Sequence, residues 1–257
     1  RFNSNCQLSD AERKELKIGA VQFKPVAGDI EENLIRHTKF IELAADEGLE
    51  LVYFPELSIT GYEPQLAKSL ALETSNTAFD IFQHLSNIHN ITIGVGAPLS
   101  LNGDIQIGMV WFEPNKARSS YKKQLLHPDE ARYFIAGNKQ TIIQTRNYHI
   151  APAICYESLQ PSHAEAAANL GANVYAASVA KHSGGITKAM QHYPEAAKKH
   201  SMCVVMANCV GPCDDYIGEG SSAAWDTNGK LLAKMESDTE GVLILDVKKE
   251  TAIIRVI

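Results

Sequence analysis

Two apolar runs and one extended segment in this 257-residue chain end at side chains able to do chemistry. Leu51-Val52-Tyr53-Phe54 is short, β-branched and aromatic, and halts at Pro55-Glu56. A later extended segment, Tyr121-Lys122-Lys123, ends in lysine. The second apolar run, from His149 to Ile154, passes into Cys155 and then Tyr156-Glu157-Ser158. Buried strands of an open α/β sheet deliver their working groups at their carboxyl ends. A strand that turns sharply toward a helix also exposes a nucleophile beside backbone N–H groups. Taken alone, Cys155 reads better as a small core hydrophobe, the common fate of a free cysteine. The other two segments change that balance. A thiol needs a base, which a strand-end carboxylate supplies, and a tetrahedral oxyanion needs positive charge, which a lysine supplies.

The rest of the chain alternates strand and helix signals. Residues 17–23 form a first strand, and Asp29 caps a helix with Ile30, Leu34, Ile41 and Ala45 on one face. Gly48 stops that helix. A second helix places Ala78, Ile81, Phe82, Leu85 and Ile88 together. Strands over 91–99 and 105–112 flank an Asn102-Gly103 turn. Beyond Cys155 come a helix over 163–170 closed by Gly171, a strand over 173–179, a helix over 187–200 and a strand over 202–207. A hairpin turns at Asn228-Gly229, and 241–247 is the last strand. The pattern predicts a mixed sheet system with outer helices.

Phe54-Pro55-Glu56-Leu57 with Thr60-Gly61-Tyr62, then Tyr121-Lys122-Lys123, then Ile154-Cys155-Tyr156-Glu157 resemble the nitrilase, or carbon–nitrogen hydrolase, superfamily. The resemblance runs from about Lys17 to about Val247. It implies an α/β fold built as a four-layer αββα sandwich. It also implies Glu56 as general base, Lys123 as oxyanion-stabilising lysine and Cys155 as nucleophile. Glu130 matches a second glutamate that supports the lysine in many members, with Asp129 as its nearest rival. The implied reaction is hydrolysis of a non-peptide C–N bond in a small amide through a thioester, needing no metal and no organic cofactor. Alternatives within the resemblance are an N-carbamoyl-amine hydrolase, a glutaminase-like amidase, suggested by Asn208-Cys209-Val210-Gly211 with Asp214-Asp215, and an amide acyltransferase. Nitrilases proper typically place Trp where Tyr156 stands. The superfamily commonly assembles as homodimers or larger homo-oligomers, so a homodimer is expected.

Composition sets the remaining bounds. With 45% hydrophobic residues the chain suits one large domain, read as residues 17–257 behind an N-terminal extension over 1–16. A net charge of −6 argues against nucleic acid and anionic membrane as partners. No apolar run approaches ~18 residues, and no signal peptide is visible. Arg1 is not a methionine, so it need not be the native start. Five cysteines, an odd number, fit reduced thiols in the cytoplasm. Cys209 and Cys213 have a C-x3-C spacing but no second pair of soft ligands, so a zinc site is not expected. Cys203 and Cys209 fit a core strand, and Asp226 and Lys248-Lys249-Glu250 fit solvated surface.

Four more residues are candidate substrate contacts. Tyr62 follows the Gly61 hinge and either lines the pocket or packs beside it. Tyr156 offers its backbone N–H to an oxyanion hole. Glu157 either touches substrate or orients the elbow. Lys181 precedes His182 in a loop that approaches Cys155 if the strand over 173–179 is its neighbour; His182 itself reads as an exposed loop residue. No arginine follows Cys155 to pair with a substrate carboxylate, and Glu157 adds negative charge there. These features favour a neutral or cationic amide, with Lys181 as the residue able to reverse that preference.

Overall fold

The computed structural model describes residues 15–257. The sequence-assigned extension over 1–16, with Cys6, falls almost wholly outside them. Strands β1 (Lys17–Gln22), β2 (Leu51–Tyr53), β3 (Thr92–Leu101), β4 (Asp104–Phe112) and β5 (Ser119–Lys122) come from the first half of the chain. They alternate with α1 (Ile30–Asp46), the short α2 (Ala67–Leu70) and α3 (Asp80–His89). The second half supplies β6 (Ile143–Thr145), β7 (Tyr148–Ile154), α4 (Pro161–Asn169), β8 (Val174–Val179), α5 (Ser183–His200) and β9 (Cys203–Asn208). A small hairpin, β10 (Val210–Cys213) and β11 (Tyr216–Glu219), precedes β12 (Ala223–Trp225) and β13 (Leu231–Lys234). The chain then returns to the first sheet with β14 (Gly241–Asp246) and β15 (Thr251–Val256).

One sheet has the order β15-β14-β1-β2-β3-β4-β5 and the other β13-β12-β9-β8-β7-β6. In each, a parallel centre (β1, β2, β3; β7, β8, β9) is flanked by antiparallel strands. The strand period of two sorts the side chains into layers. Ile18, Ala20, Tyr53, Met109 and Trp111 of one sheet meet Ile150, Ile154, Ala176 and Val205 of the other in a shared core. The opposite face of the first sheet packs on Phe40, Ile41 and Ala44 of α1 and Phe82 and Leu85 of α3. That of the second packs on Ala164 and Ala167 of α4 and Ile186, Ala189, Tyr193 and Ala197 of α5. The result is the expected αββα order. Two hydrogen bonds bind the sheets across the shared core: Tyr53 Oη donates to Val205 O at 2.8 Å and Ser178 Oγ to Phe54 O at 2.6 Å.

Several local expectations change. In α1 the fully buried stripe is Asn33, His37, Phe40, Ile41 and Ala44; of the expected face, Ile41 belongs to it and Ile30 and Leu34 pack, partly buried, against the same core. In α3, Ile81 and Ile88 are exposed and Phe82, Leu85 and Ser86 are buried. Asp226 is buried, not surface: its Oδ1 accepts from the Asn228 and Lys230 amides and shapes the hairpin turn. Lys248-Lys249-Glu250 form the turn into β15, a strand the periodicity did not announce.

Candidate active site

The first catalytic candidate is carried out of β2 by a tight loop. Gly96 of β3 lets that loop cross: a Cβ there would lie 2.4 Å from Pro55 O and 2.5 Å from Leu57 N. Beneath the loop, Ser58 Oγ lies 2.9 Å from His37 Nε2, and His37 Nδ1 lies 2.6 Å from Asn33 O. Burial drives the His37 pKa down to about 3, so the ring is neutral. The hydrogen bonds then fit a proton on Nδ1 and a Ser58 hydroxyl donating to Nε2. The Gly96 amide donates to Ser58 Oγ in turn. This prop under Glu56 was missed in the sequence. Its signal was a polar pair at i,i+4, Asn33 and His37, on an otherwise apolar helix face.

Glu56 ends fully enclosed. Its Oε1 accepts from Lys123 Nζ at 2.7 Å, and the same ammonium donates to Glu130 Oε1 at 2.7 Å. Lys123 lies just past β5, fixed by its own amide to Ile107 O and by the Gly137 amide to its carbonyl. Lys122 faces elsewhere, with Nζ on Ser120 Oγ. Glu130 closes the short 3-10 turn over 128–130, whose His127 amide donates to its Oε2 at 2.8 Å, and Tyr62 Oη donates to its Oε1 at 2.8 Å. Asp129 is exposed and pairs with His127, so Glu130 is the acid that reaches the lysine.

The electrostatics follow from this enclosure. Burial raises the Glu56 carboxyl to about 7; Lys123 opposes that rise and Glu130 adds to it. Burial opposes the charge on Lys123, yet Glu56 and Glu130 outweigh it and hold its pKa above the ordinary range. Glu56 Oε2 is buried with no hydrogen-bond donor. The neighbouring Cys155 pulls the Glu56 pKa down, a smaller effect than that of Lys123.

Cys155 follows β7 with φ +48°, in the left-handed region that non-glycine residues seldom adopt. That turn lifts a partly buried thiol toward a cavity of ≈ 740 Å³. Enclosure, then Glu56, pushes the thiol up to about 11, against the pull of Lys181 and Lys123. The sulfur is therefore protonated at rest near neutral pH and needs a base in the reacting step.

Tyr62, Glu130, Tyr156 and Lys181 line the same cavity as Cys155. Glu157 does not. It is fully buried behind the elbow. Its Oε1 accepts from the Ile154 amide at 2.8 Å and Tyr121 Oη at 2.6 Å, and its Oε2 from the Gln124 amide at 2.6 Å. Expected as a substrate contact, it instead joins the residue before Cys155 to the residue after Lys123. His182 is exposed, as the sequence suggested. The cavity wall also includes Arg132, Lys188, His192, Asp214, Asp215 and Tyr216, which residue-by-residue reading did not assign to the site. Tyr216 Oη donates to Ala180 O at 2.9 Å, tying the β10–β11 hairpin to the Cys155 side of the cavity.

A family profile described as carbon-nitrogen hydrolase matches residues 17–253, and the chain belongs to that family. In sequence it is similar to the glutamine-dependent NAD(+) synthetase of Thermotoga maritima, 24% identical over 91% of this chain but only 42% of the relative. It thus spans less than half the length of such synthetases. It is also similar to an (R)-stereoselective amidase of a Pseudomonas species, 27% identical over 87% of this chain and 82% of that protein. In structure it resembles the amidase of Nesterenkonia sp. AN1. A butyramide complex of a cysteine-to-alanine mutant of that amidase superposes with TM-score 0.83 at 20% identity, covering 91% of this chain and 92% of the other. Among the described residues no helix is long and apolar enough to cross a membrane.

Proposed function

We propose that this chain hydrolyses the C–N bond of a small linear amide by covalent catalysis at Cys155. The observation that carries the reading is the enclosed Glu56–Lys123–Glu130 cluster, with both Lys123 contacts at 2.7 Å, set beside the thiol of an open cavity. Glu56, poised near neutrality, takes the thiol proton as sulfur attacks the amide carbon. Lys123 and the Tyr156 backbone N–H stabilise the oxyanion. The amine leaves with a proton from Glu56, and water activated by the same carboxylate releases the acid from the thioester. Glu130 and Tyr62 hold Lys123 in place.

Substrate charge needs revision, because Glu157 is sealed off and cannot repel a carboxylate in the cavity. The wall carries both signs, with Arg132, Lys181 and Lys188 against Asp129, Asp214 and Asp215. That mixture favours a second reading, a glutaminase-like activity on an amide with a zwitterionic head, alongside the neutral short amide. Ammonia release from matched concentrations of short aliphatic amides, ω-amides of dicarboxylic acids, glutamine, ureas and N-carbamoyl amines tests both. Hydroxylamine in parallel reactions separates hydrolysis from acyl transfer. No ammonia from any of these with Cys155 intact sinks the amidase reading.

A further inference from the structure

One cation beside the nucleophile is a lysine that the scheme above does not use. Lys181 Nζ lies 3.8 Å from Cys155 Sγ and 3.5 Å from Cys155 O, and the residue is 5% exposed. Its backbone is fixed on both sides: the amide donates to Asn208 Oδ1 at 2.8 Å, and the carbonyl accepts from Asn208 Nδ2 and the Glu219 amide. Gly185 in the first turn of α5 makes room for the stem, since a Cβ there would lie 3.1 Å from Lys181 Cβ and 3.3 Å from its Cγ. Among the described residues, no carboxylate lies within ion-pair distance of this ammonium. Lys123, by contrast, already has two.

We propose that Lys181 is a further catalytic residue, whose ammonium pairs with the Cys155 thiolate as Glu56 takes the thiol proton. The step rests on the reading of Cys155 as nucleophile and balances internally. The S–H bond breaks, its electron pair stays on sulfur, and the proton moves to the Glu56 carboxylate. Glu56 then no longer opposes Lys123, which keeps Glu130 as counterion, and the new negative charge on sulfur meets Lys181. Each cation faces one anion after the transfer. With Lys181 absent, the thiolate would form beside Glu130 with Lys123 as the sole cation for both. The enclosure that raises the thiol to about 11 makes such a partner necessary, and Lys181 is the strongest of the groups that lower it. The titratable groups facing Lys181 are Cys155, His192 on α5 and, across the sulfur, Glu56 and Lys123. Glu219 meets it through the backbone only.

Alkylation of Cys155 by neutral iodoacetamide, followed by peptide mass mapping from pH 6 to 10, tests this without any substrate. Buried Cys203, Cys209 and Cys213 serve as internal references. Removing a positive charge at this distance moves a thiol by about one unit or more, so Lys181→Met is expected to slow labelling at pH 8 by about tenfold. Its profile should shift to higher pH, and Lys181→Arg should restore most of the rate. Lys181→Gln repeats the measurement if the methionine variant does not fold. On the unmodified protein, anionic iodoacetate should gain on iodoacetamide at Cys155 relative to the same ratio for free glutathione. A Lys181→Met profile that overlays the wild type overturns the proposal, even if KM rises, because that pattern belongs to a lysine that only binds substrate. An iodoacetate ratio no higher than that of glutathione overturns it as well. Failure of the amidase reading shows up separately, as turnover that survives Cys155→Ala.

Discussion

Of the three glutamates buried around the reacting groups, Glu157 and Glu56 are satisfied in opposite ways. Glu157 accepts hydrogen bonds on both oxygens, from the Gln124 and Ile154 amides at 2.6 and 2.8 Å, from the Leu125 amide at 3.3 Å, and from a tyrosine hydroxyl. Those donors fix a carboxylate without asking it to change. Glu56 has a lysine on one oxygen and no donor on the other, and burial brings it to about 7. A buried polar atom without a partner costs free energy, so its persistence marks a place kept open for a proton. Complete satisfaction marks a brace, and incomplete satisfaction marks a reagent.

The sharpest way to break this comparison is Glu56→Gln. Loss of the general base should lower kcat/KM by roughly 10²–10⁴-fold, with little change in Tm at pH 8. The pH dependence carries its own sign. A carboxyl raised from 4.5 to about 7 stabilises the fold fully below pH 4.5 and loses that contribution as pH rises through 7. The Tm difference, wild type minus Glu56→Gln, should therefore fall between pH 5 and pH 8. A difference that grows would mean that Glu56 is held ionised. On the same grounds, the acid limb of kcat/KM should rise with pH through about 7.

Lys123→Ala should lower turnover by roughly 10²–10³-fold. It should also destabilise the protein by about 3–5 kcal/mol at pH 8, because two enclosed carboxylates lose their cation. Urea unfolding at pH 8 and pH 5 checks this, with part of the loss regained at pH 5 as a carboxyl protonates. Glu157→Gln should show the converse of Glu56→Gln. Its amide NH₂ would face a backbone N–H, costing about 1–3 kcal/mol in urea unfolding, while kcat falls less than in Glu56→Gln. If Glu157→Gln proves the more damaging to kcat and the less damaging to stability, brace and reagent have been assigned the wrong way round. The smallest effect belongs to Tyr62→Phe, which removes one hydrogen bond to Glu130 and should cost at most about tenfold in kcat/KM.

The same contrast explains what the sequence disclosed. Glu56 and Cys155 stand where apolar runs break, and a break in hydrophobic pattern is visible in one dimension, whereas Lys123 follows the polar segment Ser119-Ser120-Tyr121-Lys122 and was legible only through the resemblance. Alternating strand and helix signals announced a mixed sheet system with outer helices, while the second sheet and the αββα order came only from the family resemblance. Glu157 lies two residues beyond Cys155, where position alone suggests the cavity, and only the 3-10 turn that follows the elbow aims it inward. The stripe of α1 was legible only in part, through Ile41 and its partly buried neighbours Ile30 and Leu34, because Asn33 and His37, both polar, also belong to it. Strand β15 is half exposed along the sheet edge, so its alternation is blurred. Arg132, Lys188 and Asp214 come from three separate segments, and no local pattern reports that long-range folding gathers them.

The backbone at Cys155 carries one more consequence. With φ at +48°, a side-chain-bearing residue there is strained by about 1–2 kcal/mol relative to glycine. Heat tolerance and turnover therefore pull this position in opposite directions. A library selected only for survival at high temperature should enrich glycine or asparagine at residue 155 and yield sturdier, silent variants. Engineering for durability will have to screen for product at every round, because the fold itself does not reward keeping its nucleophile.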